Sequence, residues 1–291
     1  MKKLLVVVAI FCCAIFSHAQ EISVAAAADL SAVFPQVGAS FEKETGKKVR
    51  INYGSSGQFL LQIENGAPFD IFFSADLQYP QRLESEGLTQ PGTLYKYAIG
   101  KLVLYVPNGS QLDLSKGLHV LQSPAAKRIA IANPQHAPYG RAAVEALKKE
   151  GLYDSLQSKF VMGENISQTA QFVQSGNADA GIVALSLAIS PAMKNAGRFV
   201  EIPLSDYTPL EQAAVILKSS KDKAAATLFL NYIKKPAIAR LLADYGFTMP
   251  TAGGKTKERA SVLVSYTGSI SAQAKNPSAA QIFHDDAESL R

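Results

Sequence analysis

Two short stretches of small residues carry the chemistry this sequence offers. Ala25-Ala26-Ala27-Ala28-Asp29-Leu30 follows the apolar run Ile22–Val24, and Tyr53-Gly54-Ser55-Ser56-Gly57 closes the alternating run Val49–Tyr53. Each joins a predicted strand to a predicted helix, so each presents free backbone N–H groups at the positive end of that helix. Such an end attracts anions. Two later turns have the same form: Tyr139, at the end of Asn133-Pro134-Gln135-His136-Ala137-Pro138-Tyr139, and Ile166, directly after Asn165. Asp29, Ser56, Tyr139 and Ile166 are therefore the candidate anion-binding residues. Open α/β sheets place turns of this kind at the carboxyl ends of strands, where ligands bind.

The elements that must hold these turns alternate along the chain, which predicts an α/β fold. A strand over Ile22–Ala26 leads to a helix from Asp29, with Leu30, Val33, Phe34, Val37 and Phe41 on one face. Pro35 lies inside that helix and removes a backbone hydrogen bond, so a kink or a late start is expected. The second strand, Val49–Tyr53, leads to a helix over Gln58–Asn65, and Ile71–Ser74 reads as a buried strand before a helix over Leu77–Glu86. Beyond Gly100, strands are expected at Lys101–Val106, Arg128–Ala132, Lys159–Met162, Gly181–Leu185 and Ala213–Leu217. Helices are expected at Tyr139–Glu150, Ile166–Ser175, Lys221–Lys234 and Ala237–Tyr245. Asn165 with Gln168 three residues on is a capping-box pattern.

The first residues predict export. Lys2 and Lys3 precede an apolar stretch, Leu4–Phe16, and Ser17-His18-Ala19 is a small-x-small cleavage site. The stretch is too short for a spanning helix, and a signal peptide removed after Ala19 fits better. Cys12 and Cys13, the 2 cysteines of the chain, would leave with it, so no disulfide is expected afterwards. Removing Lys2 and Lys3 from 29 basic residues leaves 27 against 24 acidic ones. The cations fall in scattered pairs, and nothing forms the basic stripe of a nucleic-acid binder. After Pro250 the composition turns to Ser, Ala, Gly, Gln and Lys, which predicts a flexible tail over 251–291 with at most a short strand at Ser261–Tyr266.

In the two small-residue turns and in Gly66-Ala67-Pro68-Phe69-Asp70-Ile71-Phe72-Phe73-Ser74-Ala75-Asp76, the chain resembles the periplasmic molybdate-binding proteins, from about Glu21 to Pro250. The resemblance implies a type II periplasmic binding protein of two lobes, each a mixed sheet flanked by helices, with the ligand in the cleft between them. Lobe 1 would be residues 20–100 plus 206–250, and lobe 2 residues 101–205. It implies a monomeric receptor, not an enzyme, without a cofactor. The receptor would hand molybdate, and also tungstate, to an inner-membrane ABC permease and its ATPase. Ser56 would give a hydroxyl and a backbone N–H, Tyr139 a backbone N–H and also its phenol, and Ile166 a backbone N–H. Direct metal ligands are not expected, because molybdate is held as an oxyanion. About six or seven hydrogen bonds to a charged acceptor amount to roughly 10–20 kcal/mol gross. Association takes back at least ~4 kcal/mol, so sub-micromolar affinity is reasonable.

Asp29 and Ala184 depart from the pattern, where many relatives have serine and some have tyrosine. For Asp29 two readings stand: a helix cap turned inward whose N–H still serves the ligand, or an acceptor for a protonated oxyanion, which would favour phosphate or arsenate. A different tetrahedral oxyanion such as phosphate is the alternative ligand, and an exported hydrolase the competing class. Against a hydrolase, Gly54-Ser55-Ser56-Gly57 has the wrong spacing for a nucleophile elbow. His119, His136 and His284 are too few and scattered to predict a metal site.

Overall fold

A computed structural model describes residues 21–250. The signal segment expected at 1–19, the tail at 251–291 and the strand at 261–266 lie outside the described residues. Ten strands follow in order: β1 Ile22–Ala27, β2 Val49–Gly54, β3 Ile71–Ser74, β4 Tyr95–Gly100, β5 Leu102–Pro107, β6 Ile129–Ala132, β7 Phe160–Gly163, β8 Ala180–Ala184, β9 Gly197–Glu201 and β10 Leu210–Ile216. The helices are α1 Phe34–Thr45, α2 Ser56–Glu64, α3 Gln78–Ser85, α4 Pro138–Lys149, α5 Tyr153–Leu156, α6 Ile166–Gln174, α7 Leu185–Ala188, α8 Lys223–Ile233 and α9 Pro236–Asp244.

The strands form two five-stranded sheets, ordered β2-β1-β3-β10-β4 and β7-β6-β8-β5-β9. Both repeat one scheme. In the first, β1 runs parallel to β2 and β3 while β10 runs antiparallel to β3 and β4. In the second, β6 runs parallel to β7 and β8 while β5 runs antiparallel to β8 and β9. The mixed-sheet expectation holds, and each sheet with its helices makes one lobe. The chain crosses between sheets at Lys101, from β4 to β5, and again between β9 and β10.

Local sequence explains the elements. All six residues of β1 are buried, as suits a strand with parallel neighbours on both sides. Pro35 sits in the first turn of α1, where its missing N–H costs nothing, so the helix starts late, at Phe34, behind a 3-10 turn over Ala28–Ala32. This corrects a helix starting at Asp29 and bears out the late start. Gly46 closes α1 at φ 70°. The first lobe packs Phe34, Phe41, Phe73 and Phe229 edge to face, with ring centroids 5.0–5.9 Å apart. Strands β4 and β9 and a 3-10 stretch over Leu114–Gln122 were not expected from the sequence. Among the described residues no helix is long and apolar enough to cross a membrane.

Candidate functional site

Four helix starts converge on one narrow cleft between the lobes. The first lobe lines it with Ala28, Asp29, Gly54, Ser56 and Ala75, the second with Ala137, Tyr139, Asn165 and Ile166. All four residues singled out from the sequence are brought together there. No lysine or arginine is among the lining residues.

Each position follows from its helix. Ser56 is the first residue of α2, with Ser55 rather than Ser56 at the N-cap, so α2 starts two residues earlier than the sequence predicted. Ile166 is the first residue of α6, and Tyr139 the second of α4 after Pro138. First-turn N–H groups have no acceptor within their own helix. The Ser56 hydroxyl oxygen accepts the Ala75 N–H at 3.0 Å, and among the described residues its own proton has no protein acceptor. That proton is available to a ligand. On α6, Asn165 Oδ1 accepts from the N–H groups of Ser167 and Gln168, both at 3.0 Å, which leaves the Ile166 N–H. Half of the expected capping box changes, since Gln168 Oε1 accepts from Glu164 N rather than from Asn165 N.

Asp29 is the second residue of its 3-10 turn, whose N-cap is Ala27. Its side chain does turn inward and is fully buried. Oδ2 accepts from the Tyr139 hydroxyl at 3.0 Å and from Gln212 Nε2 at 2.5 Å, while Oδ1 is buried without a partner among the described residues. Burial raises the Asp29 carboxyl to about 6, against which the bonds from Gln212 and Tyr139 pull it down. Burial, then the charge of Asp29, holds Tyr139 well above the usual phenol range. The Tyr139 hydroxyl thus donates to Asp29 across the cleft, which differs from the expectation that it reaches an anion. Gly100, at the crossover, makes room: a Cβ there would stand 2.1 Å from that hydroxyl.

Gln212 and Tyr97 were missed. Gln212 Oε1 accepts from Tyr97 Oη at 2.7 Å, so the amide is fixed with its nitrogen toward Asp29. The available signal was an amide directly ahead of the apolar run of β10, fully buried in the fold. Asp70 accepts from Ser23 N, Ser220 Oγ and Lys221 N and ties chain segments together. Asp76 pairs with Arg141 of α4 across the cleft, and Arg141 also donates to the Tyr79 hydroxyl at 2.7 Å. The lobes are thus in direct contact. Ser55 Oγ donates to the His136 carbonyl at 2.5 Å, as does the Gly57 N–H at 2.9 Å. Among the described residues no group of three His, Cys, Asp or Glu side chains is placed to hold a metal ion.

The family model of the bacterial extracellular solute-binding protein matches residues 22–248. The molybdate-binding protein of Azotobacter vinelandii is 42% identical over 231 residues, covering 79% of this chain and 91% of that protein. That of Rhodobacter capsulatus is 40% identical over 229 residues, covering 79% and 88%. The solved periplasmic molybdate-binding protein of Azotobacter vinelandii superposes with a TM-score of 0.75 at 38% identity, covering 79% of this chain and 100% of that one.

Proposed function

The chain belongs to the bacterial extracellular solute-binding protein family, alongside the molybdate-binding proteins, and from that premise we propose that it is an exported receptor closing on molybdate, and on tungstate. In this reading the signal is cleaved after Ala19 and the receptor works in the periplasm as a monomer. The closed form docks on an inner-membrane ABC permease whose ATPase drives import. Residues 20–100 with 206–250 form lobe 1 and residues 101–205 lobe 2. Nothing in the site calls for a cofactor or a catalytic step.

The observation that carries this reading is a cleft lined from both lobes by hydrogen-bond donors and no cation. A tetrahedral dianion needs donors on all sides, and neutral donors bind it without adding positive charge. The Ser56 hydroxyl and the N–H groups of Asp29, Ser56, Tyr139 and Ile166 serve that end. Because both lobes contribute, the ligand favours the closed state by its differential affinity, and the crossovers at Lys101 and between β9 and β10 act as the hinge.

Titration calorimetry with molybdate, tungstate, sulfate and phosphate tests the reading. The expected result is tight one-to-one binding of molybdate and tungstate without a sulfate signal. Phosphate binding with molybdate silent would overturn the ligand and keep the receptor.

A further inference from the structure

A buried acid beside a dianion is repulsive, more so in a cleft with little water. Asp29 is such an acid. It lines the cleft among the helix starts, is fully buried, and has one carboxylate oxygen, Oδ1, without a partner among the described residues. We propose that the site takes up one proton from solvent with each oxyanion dianion, held on Asp29 Oδ1 against an oxygen of the anion. The carboxyl is then a neutral donor instead of a repelling charge. This rests on the oxyanion reading above and adds to it the protonation state in which the site works.

The geometry assigns the proton to Oδ1. Oδ2 already accepts from Tyr139 and Gln212, and it can still accept both bonds as the carbonyl oxygen of a protonated carboxyl. Both donors are themselves fixed, Gln212 by Tyr97 and Tyr139 by its place on α4. The titratable groups facing Asp29 are Tyr139 on α4 and Tyr97 on β4; beyond them, Tyr207 ahead of β10 acts on Tyr139, and Asp76 after β3, which is paired with Arg141, acts on Tyr97. The tyrosines are held neutral by burial, so none supplies a countercharge. The carboxyl is accordingly raised to about 6 by burial before any anion enters, and an anion beside it raises it further.

Above pH 7 molybdate is a fully deprotonated dianion, so the proton must come from solvent. Calorimetry of molybdate binding at pH 8 in buffers of different ionisation enthalpy counts it directly. The expected count is about one proton per molybdate, with Kd rising about tenfold per pH unit between pH 7 and 9. Asp29→Asn, with an amide donor in place of the acid, should abolish both the proton uptake and the slope and bind molybdate more tightly than wild type at pH 9. Molybdate binding by the wild type with no proton uptake overturns this inference alone, whether or not the variant folds. If none of the oxyanions binds at any pH, the receptor reading fails first and the inference with it.

Discussion

Ser55-Ser56 and Asn165-Ile166 open two helices that line the same cleft from opposite lobes, and they use their polar side chains in opposite ways. Asn165 keeps its side chain on its own helix, accepting two first-turn N–H groups of α6. Ser55, an equally good cap by type, makes no cap bond and reaches the His136 carbonyl of the other lobe instead. Ser56 beside it takes an N–H from Ala75 and keeps its proton. The second-lobe turn thus uses its polar side chain within its own helix, whereas the first-lobe turn uses the Ser55 side chain across the two lobes. A receptor that signals by closing needs such a cross-lobe contact, because a surface satisfied in the open state gains nothing on closure.

Substitutions separate the two turns. The largest effect is expected at Gly57, whose added Cβ would stand 2.6 Å from the His136 carbonyl oxygen and 2.8 Å from the Tyr79 hydroxyl. Gly57→Ala penalises the closed state by about 3 kcal/mol, the upper end for overpacking, and weakens molybdate binding by roughly 100-fold. Its melting temperature without ligand should change little if opening relieves the contact; a large drop would mean that the closed contact is part of the fold itself.

Next comes Asp29, also on the first-lobe side. Its carboxyl is raised from 3.8 to about 6 by burial, so the folded protein holds that proton more tightly than the unfolded chain. Stability from this group is present in full below about pH 4 and is lost as pH rises through about 6. Asp29→Asn should therefore be more stable than wild type at pH 8, by about 3 kcal/mol, with the difference gone near pH 3.5. Denaturant midpoints at the two pH values measure it, and an unchanged difference would exclude a buried ionised Asp29.

Ser56→Ala removes a hydroxyl donor to a charged acceptor, worth about 1.5–3 kcal/mol, and should raise the molybdate Kd by roughly 10- to 100-fold in calorimetry. The smallest effect belongs to the second lobe: Asn165→Ala loses a cap worth about 1 kcal/mol and lowers the melting temperature by about 2–4 °C. A larger loss of binding at Asn165 than at Ser56 would reverse the comparison.

These residues also mark what the sequence discloses. The turns at Asp29, Ser56, Tyr139 and Ile166 are legible because small residues, strand patterning and a capping residue are local signals, and so is the late start of α1 at Pro35. The Asn165 cap is local too and came out as expected. What Ser55 does instead of capping is not local, since its acceptor lies 81 residues away. The Asp29–Gln212 bond spans 183 residues, and Gln212 falls in the first half of β10, ahead of the apolar run that marked the strand. Strands β4 and β9 escaped for a related reason: their residues are partly exposed, and pairing with β10 and β5 defines them more than their own periodicity.

The most direct test is a crystal structure of the molybdate complex with an anomalous map at the molybdenum absorption edge. The predicted result is one peak in the cleft, its oxygens within about 2.7–3.2 Å of the Ser56 hydroxyl and the N–H groups of Ser56, Tyr139 and Ile166, with donors from both lobes. A peak held by lysine or arginine side chains, or by one lobe alone, would contradict the account.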